Sequence, residues 1–232
     1  MVNPIKITHC IFDMDGLMLD TETIYEKVYD EIANEYGKSY TNEVKLKILG
    51  RPEIDGANIF VQELGIPLTG KEFLSKFKPI ALERLQNPEF LPGVVKLIKH
   101  LSKHNIPMSI ATSSAEDVAT VKLKNHKEIF DLFYHMVCGS SDPEVKNGKP
   151  APDIYLICAS RFPDNPKPEN VLVFEDAPNG VEGAITAGMS CVMVPDEEIQ
   201  NNLSNLLKKQ PTLIINSLED FKPELFNIPK YD

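Results

Sequence analysis

No apolar run in this 232-residue chain approaches the roughly 20 residues that a bilayer crossing needs, so no membrane-spanning helix is expected. The opening MVNPIKITHC holds one lysine and no long apolar segment, and no secretory signal is read there. Cysteine is scarce and scattered. Cys10, Cys138, Cys158 and Cys191 form no C-x-x-C pair and sit among apolar neighbours, which suits buried free thiols in a reducing compartment. A cytoplasmic protein is the expectation. Positive charge is short as well: 24 Lys and Arg against 34 Asp and Glu leave a net charge of −10. That balance disfavours non-specific attraction to nucleic acid or anionic membrane, and neither is expected as a partner. It equally disfavours long-range steering of an anionic ligand, so such a ligand needs a local electropositive site. Internal repeats and low-complexity segments are absent, and a monomer is expected.

What is present is an alternation. The short apolar runs ITHCIF, PMSIAT, HMVCG, NVLVFE and CVMVP, with TLIIN near the C-terminus, read as strands. Several are continuously apolar, as in a parallel sheet covered on both faces. Helical segments lie between them: VVKLIKHLSKHN, with Val94, Leu97, Ile98 and Leu101 on one face and its lysines and histidines on the other, then PDIYLICASRF and NGVEGAITAG. Strands alternating with helices predict an α/β fold, a doubly wound, Rossmann-like parallel sheet. One interval breaks the rhythm. From Thr21 to about Asn87 the pattern is helical only, and a crossover needs just one helix. The expected organisation is therefore a core of residues 1–20 and 88–232 with a small inserted helical domain, 21–87. FLPGV reads as the return hinge, and the tyrosine and phenylalanine stripes read as the insert's own core.

In open parallel sheets, ligands bind beyond the carboxyl ends of the strands. Asp13 and Asp15 follow the first strand, Thr112, Ser113 and Ser114 the second, and Glu175 and Asp176 the fourth. The loop after the third carries Lys149. Each feature alone has an ordinary explanation: aspartates favour turns, Ser113 or Ser114 could cap the next helix, and a loop lysine is normally solvated. Their convergence on one sheet edge points elsewhere. Carboxylates without a nearby His or Cys suit a hard, oxygen-seeking ion, Mg²⁺ foremost. Hydroxyls and an ammonium suit phosphate oxygens. Phosphoryl transfer to an aspartate is the chemistry this set would serve.

FDMDGLMLDTE, IATSS, GKPAPDIY and FEDAPNGVEGAITAGM resemble the four ordered motifs of the haloacid dehalogenase-like hydrolase superfamily, across nearly the whole chain. The insert resembles that superfamily's first type of cap domain. ATSS, GSSDPEV, GKPAPDIYLICASRF, LVFEDAPNGVE and PELFNIPKYD are most similar to superfamily members that dephosphorylate pseudouridine 5'-phosphate. The resemblance implies Asp13 as nucleophile and Asp15 as the acid that protonates the departing alcohol and then draws a proton from water. Proximity to Asp13 and the phosphate would push the Asp15 pKa upward. Asp13, the backbone carbonyl of Asp15, and Asp176 would hold Mg²⁺, with Glu175 close by. Thr112, Ser113 and the Gly16 amide would bind phosphate, and Lys149 would neutralise charge. Arg51, on a turn in the insert, would reach a second charge or a sugar hydroxyl.

The second aspartate discriminates within the superfamily. A halide leaving group needs no proton, so Asp15 favours a phosphatase or phosphomutase over a dehalogenase. Response-regulator receivers place their acidic pair before the phosphorylated residue, whereas here Glu175 and Asp176 come last. The expectation is a Mg²⁺-dependent phosphomonoesterase acting on a small nucleoside or sugar monophosphate, pseudouridine 5'-phosphate favoured. The rivals are a sugar phosphomutase and a non-catalytic phosphate-binding protein. DEEIQNNL reads as a solvated helix start, and none of the five histidines is assigned to catalysis.

Overall fold

The computed structural model describes residues 6–48, 51 and 53–231. Its central strand, β1 (His9–Phe12), is buried at every position, as a strand between two neighbours must be. It pairs in parallel with β2 (Met108–Thr112) on one side and β4 (Val171–Glu175) on the other. β3 (His135–Cys138) lies beyond β2, and β5 (Ser190–Met193) and β6 (Leu213–Ile214) lie beyond β4. The order β3-β2-β1-β4-β5-β6 reverses direction at β1, so the topological switch falls between β1 and β4. All six expected strands form, although β6 keeps only two residues of its apolar run.

Alternate side chains feed two separate cores. Cys10, Phe12, Ile110, Leu172, Phe174 and Val192 pack on one face, against Val94, Leu97, Ile98 and Leu101 of α5 (Val94–Lys103). Ile11, Ala111, Val137, Val173, Cys191 and Met193 pack on the other. There they meet α8 (Asp153–Ser160) and α9 (Pro178–Thr186). Each fully buried aliphatic or phenyl group contributes about 1.5–3 kcal/mol, which is why continuous apolar strands tolerate no solvent face. α6 (Glu116–Leu123) and α7 (Lys127–Phe130) bridge β2 and β3, and α10 (Glu197–Leu206) follows β5. One polar position on α5 departs from its expected exposure. His100 is buried because the C-terminal segment folds over it, with its Nε2 2.7 Å from the Pro229 carbonyl oxygen.

Residues after β1 form α1 (Glu22–Glu35), α2 (Asn42–Ile48), α3 (Glu53–Leu64) and α4 (Gly70–Arg84). They share a third hydrophobic cluster, in which Val28, Ile32, Phe60, Phe73 and Phe77 pack with Tyr29 and Tyr40. The chain leaves and re-enters the sheet region side by side. Leu19 bridges Phe90, the Asp20 N–H donates to Glu89 at 2.9 Å, and the Leu91 N–H donates to Met18 at 3.0 Å. Among the described residues no helix is long and apolar enough to cross a membrane. All four cysteines are free and buried.

Candidate active site

Asp13 continues the β1 ladder, its N–H donating to the Phe174 carbonyl at 3.0 Å. That register sets it beside the end of β4, next to Glu175 and Asp176. One oxygen from each of the three acids lies within 4.8 Å of the others. Lys149 reaches in from the β3–α8 loop. Its Nζ donates to Asp13 Oδ1, to Glu175 Oε1 at 2.5 Å and to the Ala111 carbonyl at 3.1 Å. Tyr155 of α8, wholly buried, donates its hydroxyl to the same Glu175 oxygen at 2.5 Å.

Two glycines make the room. At Gly180 on α9, a Cβ would fall 2.1 Å from the Glu175 carboxyl carbon, so only glycine lets the helix lie against that acid. At Gly16, φ is +78° and a Cβ would fall 2.5 Å from Asp176 Oδ2. The Gly16 amide, expected to help bind phosphate, instead donates to the Leu19 carbonyl at 3.0 Å. This glycine serves the turn and the clearance.

The acids crowd one another. Burial raises the Asp13 carboxyl to about 7, with Glu175 and Asp15 adding to the rise and Lys149 opposing it. Burial and the charges of Asp13, Glu175 and Glu22 hold Asp176 well above the usual range. Glu22, at the start of α1, is pushed to about 7 by burial and by Asp15. Burial opposes the charge on Lys149, but Asp13 and Glu175 prevail and raise its pKa. When all three acids are ionised, one ammonium leaves two negative charges uncompensated at this largely buried rim. That is the charge of one divalent cation, and the donors are hard oxygens, so the residues fit Mg²⁺.

A carboxyl raised in the folded state binds its proton more tightly there than in the unfolded chain, so its contribution to stability falls as pH climbs from about 4 to about 7. A divalent cation relieves that loss only where the acids are ionised. In EDTA-treated protein, added Mg²⁺ is expected to raise the melting temperature more at pH 7.5 than at pH 5.5. An equal response at both values would contradict the assignment of these acids to a metal.

Asp15 sits apart from the triad. Its Oδ1 accepts from Lys122 Nζ at 2.5 Å, and its Oδ2 accepts from Ser114 Oγ at 2.9 Å and Thr112 Oγ1 at 3.3 Å. The expected upward shift of its pKa is reversed. Burial raises it, but the Lys122 charge and the hydrogen bonds from Lys122 and Ser114 outweigh burial and lower it. Ser113, expected at the phosphate, is exposed, and its carbonyl accepts from Ser140 Oγ at 2.6 Å. Ser114 is the serine that turns inward, and neither caps the following helix. Thr112 is buried with its hydroxyl on Asp15 and the Ser114 amide.

Arg51 is exposed, its backbone N–H donating to the Ile48 carbonyl at 3.0 Å, and among the described residues no side-chain contact brings it to the carboxylates. Its neighbours Leu49, Gly50 and Pro52 lie outside the described residues. The DEEIQNNL start is not simply solvated. Asp196 caps α10, and Lys45 of α2 meets Asp196 at 3.0 Å and Glu198 at 3.3 Å. Lys122 and Tyr155 were not singled out by the sequence pattern, and Ser114 was noted only in the hydroxyl cluster after β2 and as a possible helix cap. Lys122 reads as one more helix lysine in VKLKNH, and only tertiary packing shows that it is wholly buried.

The chain is similar to known proteins along nearly its whole length. The chain is 43% identical over 226 residues to a Drosophila melanogaster protein named "probable pseudouridine-5'-phosphatase", covering 97% of this chain and 96% of that one. It is 44% identical over 230 residues to (DL)-glycerol-3-phosphatase 2 of Arabidopsis thaliana, covering 98% and 94%. The fold matches a haloacid dehalogenase-like protein from Agrobacterium tumefaciens with a TM-score of 0.75 at 26% identity, covering 92% of this chain and 95% of that one. The family profile described as haloacid dehalogenase-like hydrolase matches residues 10–194. That match spans most of the chain, and with the 43% identity over nearly its full length it shows that the chain belongs to the haloacid dehalogenase-like hydrolase family.

Proposed function

We propose that this phosphatase hydrolyses small nucleoside or sugar monophosphates through an aspartyl-phosphate on Asp13, with pseudouridine 5'-phosphate its preferred substrate. The single observation that carries the reading is Asp13 itself, a carboxylate at the switch point of the sheet, held by Lys149 and flanked by two further acids. Asp13, Asp176 and the Asp15 carbonyl would hold Mg²⁺, with Glu175 beside them, and the ion would supply positive charge to the phosphate oxygens.

One carboxylate oxygen of Asp13 attacks phosphorus in line, and the bond from phosphorus to the alcohol oxygen breaks. Asp15, protonated once the phosphate's negative charge offsets the pull of Lys122 on its pKa, gives its proton to that oxygen, so the alcohol leaves neutral. Asp15, now a carboxylate, takes a proton from water as the water oxygen attacks phosphorus. The bond from phosphorus to Asp13 then breaks, and inorganic phosphate departs. Lys149 spreads the charge that gathers on Asp13 and the transferring group. The bundle α1–α4 acts as a cap over this site. Its private hydrophobic cluster and the paired linkers at Leu19 and Phe90 support that role, since they let it move as a unit.

The test is release of phosphate from a panel with and without Mg²⁺: pseudouridine 5'-phosphate, other nucleoside monophosphates, glycerol 3-phosphate and hexose phosphates. Pseudouridine 5'-phosphate is expected to give the highest kcat/KM, with turnover lost in EDTA. Should glycerol 3-phosphate lead, the substrate reading falls and the reaction class stands. Isomerised sugar phosphate without free phosphate would instead establish a mutase.

A further inference from the structure

The structure assigns Lys122 as a positioning residue for Asp15. The ammonium, together with Ser114, fixes the direction in which the Asp15 carboxylate faces the leaving group and the water. This rests on the reading of Asp15 as the group that exchanges protons.

Lys122 lies in the last turn of α6, and its side chain is 0% exposed. An ammonium taken fully out of water is costly unless strong partners offset it. The partners are specific. Nζ donates to Asp15 Oδ1 at 2.5 Å and to Ser114 Oγ at 2.9 Å, and it lies 5.5 Å from the centre of the Tyr25 ring of α1. Ser114 in turn donates to the other Asp15 oxygen at 2.9 Å. The three groups close a ring: ammonium to one carboxylate oxygen, hydroxyl to the second, ammonium to hydroxyl. Donors on both oxygens remove the rotation that a carboxylate on a loop would otherwise keep.

Orientation matters more for Asp15 than for the metal-binding acids. It must meet an alcohol oxygen in one step and a water in the next, and misplacement of a reacting group by about 1 Å costs on the order of 10²-fold in rate. Lys149 cannot serve here, because its contacts are Asp13, Glu175 and the Ala111 carbonyl. Two buried lysines therefore divide the site, one for each aspartate of the D-x-D pair.

The test compares two leaving groups in Lys122→Met. p-Nitrophenyl phosphate expels a weakly basic phenolate that needs no proton, whereas an alkyl monophosphate expels an alcohol that does. With the aryl ester, the variant is expected to give a rapid burst of p-nitrophenolate of parental size. Steady release should then be slowed about 10–100-fold while the aspartyl-phosphate waits for water activation. With the alkyl ester no burst is expected, and kcat falls by a similar factor with KM within about twofold. Steady-state rates within about twofold of the parent on both esters would overturn the inference. So would burst and steady state shrinking in equal proportion, the signature of lost active protein. Asp15→Asn is the control. If it turns over both esters at the parental rate, the reading of Asp15 fails, whereas a burst in Asp15→Asn that Lys122→Met lacks sinks the Lys122 assignment alone. If Lys122→Met does not fold, Ser114→Ala, which strands no buried charge, carries the same test. It should keep the burst and slow the steady state, and parental rates would refute the assignment.

Discussion

Asparagine in place of Asp13 is expected to lower phosphate release by about four orders of magnitude or more, because a neutral amide cannot form the acyl-phosphate and nothing nearby can replace it. Glu175 is engaged by Lys149 and Tyr155, and Asp15 points to Lys122 and Ser114. The same substitution should stabilise the fold in EDTA at pH 7.5. Asp13 is raised to about 7, so above that value the folded state carries an ionised carboxylate in a place that disfavours it. The amide removes that charge at nearly the same size. Steady-state phosphate assays and thermal melts at pH 7.5 measure the pair of effects. Turnover within about tenfold of the parent would remove Asp13 as nucleophile. A lower melting temperature would show that the crowding of the acids has been misjudged.

Lys149→Met is expected to damage both activity and stability. Among the described residues, Lys149 is the one cation in contact with Asp13 and Glu175, and all three side chains are buried. Removing one partner of a buried ionic cluster strands the others, at about 3–5 kcal/mol. The catalytic loss should be about 10²–10³-fold, the usual scale for deleting a preorganised group that meets developing charge. The pH dependence has a definite sign. Without the ammonium, Asp13 moves further above about 7, so the variant's deficit in stability grows as pH rises from about 4 and is smallest in acid. Urea unfolding at pH 5.5 and 7.5 reads this directly. A deficit larger at pH 5.5 would reverse the argument.

Most of the setting of Asp13 was legible because it depends on strand ends. Continuous apolar runs identify parallel strands, and parallel strands place whatever follows them on one edge. Asp13, Thr112, Lys149, Glu175 and Asp176 all lie at or after such ends, so the pattern by itself predicts that they share one edge. The interval from Thr21 to Asn87 was legible for a similar reason, since its helical periodicity exceeds what one crossover needs.

The departures from expectation share a cause. Ser113 and Ser114 are equivalent in a sequence, and the turn after β2 decides which faces inward. Gly16 looked like a phosphate-binding amide until the turn used its N–H on Leu19. Asp15 was expected to be pushed upward by Asp13 and the phosphate, yet a lysine 107 positions away pulls its pKa down. Tyr155 and Gly180 matter only because α8 and α9 both close on Glu175.

By itself the order of residues determined the sheet, the inserted helices and the set of acids at one rim, since each follows from patterns a few residues long and from the geometry of a parallel strand. Tertiary structure alone decided which distant side chains the site acids face, and with them most of the shifts of Asp13, Asp15 and Asp176. Burial and contact across a hundred residues set those energies, and no local pattern records them.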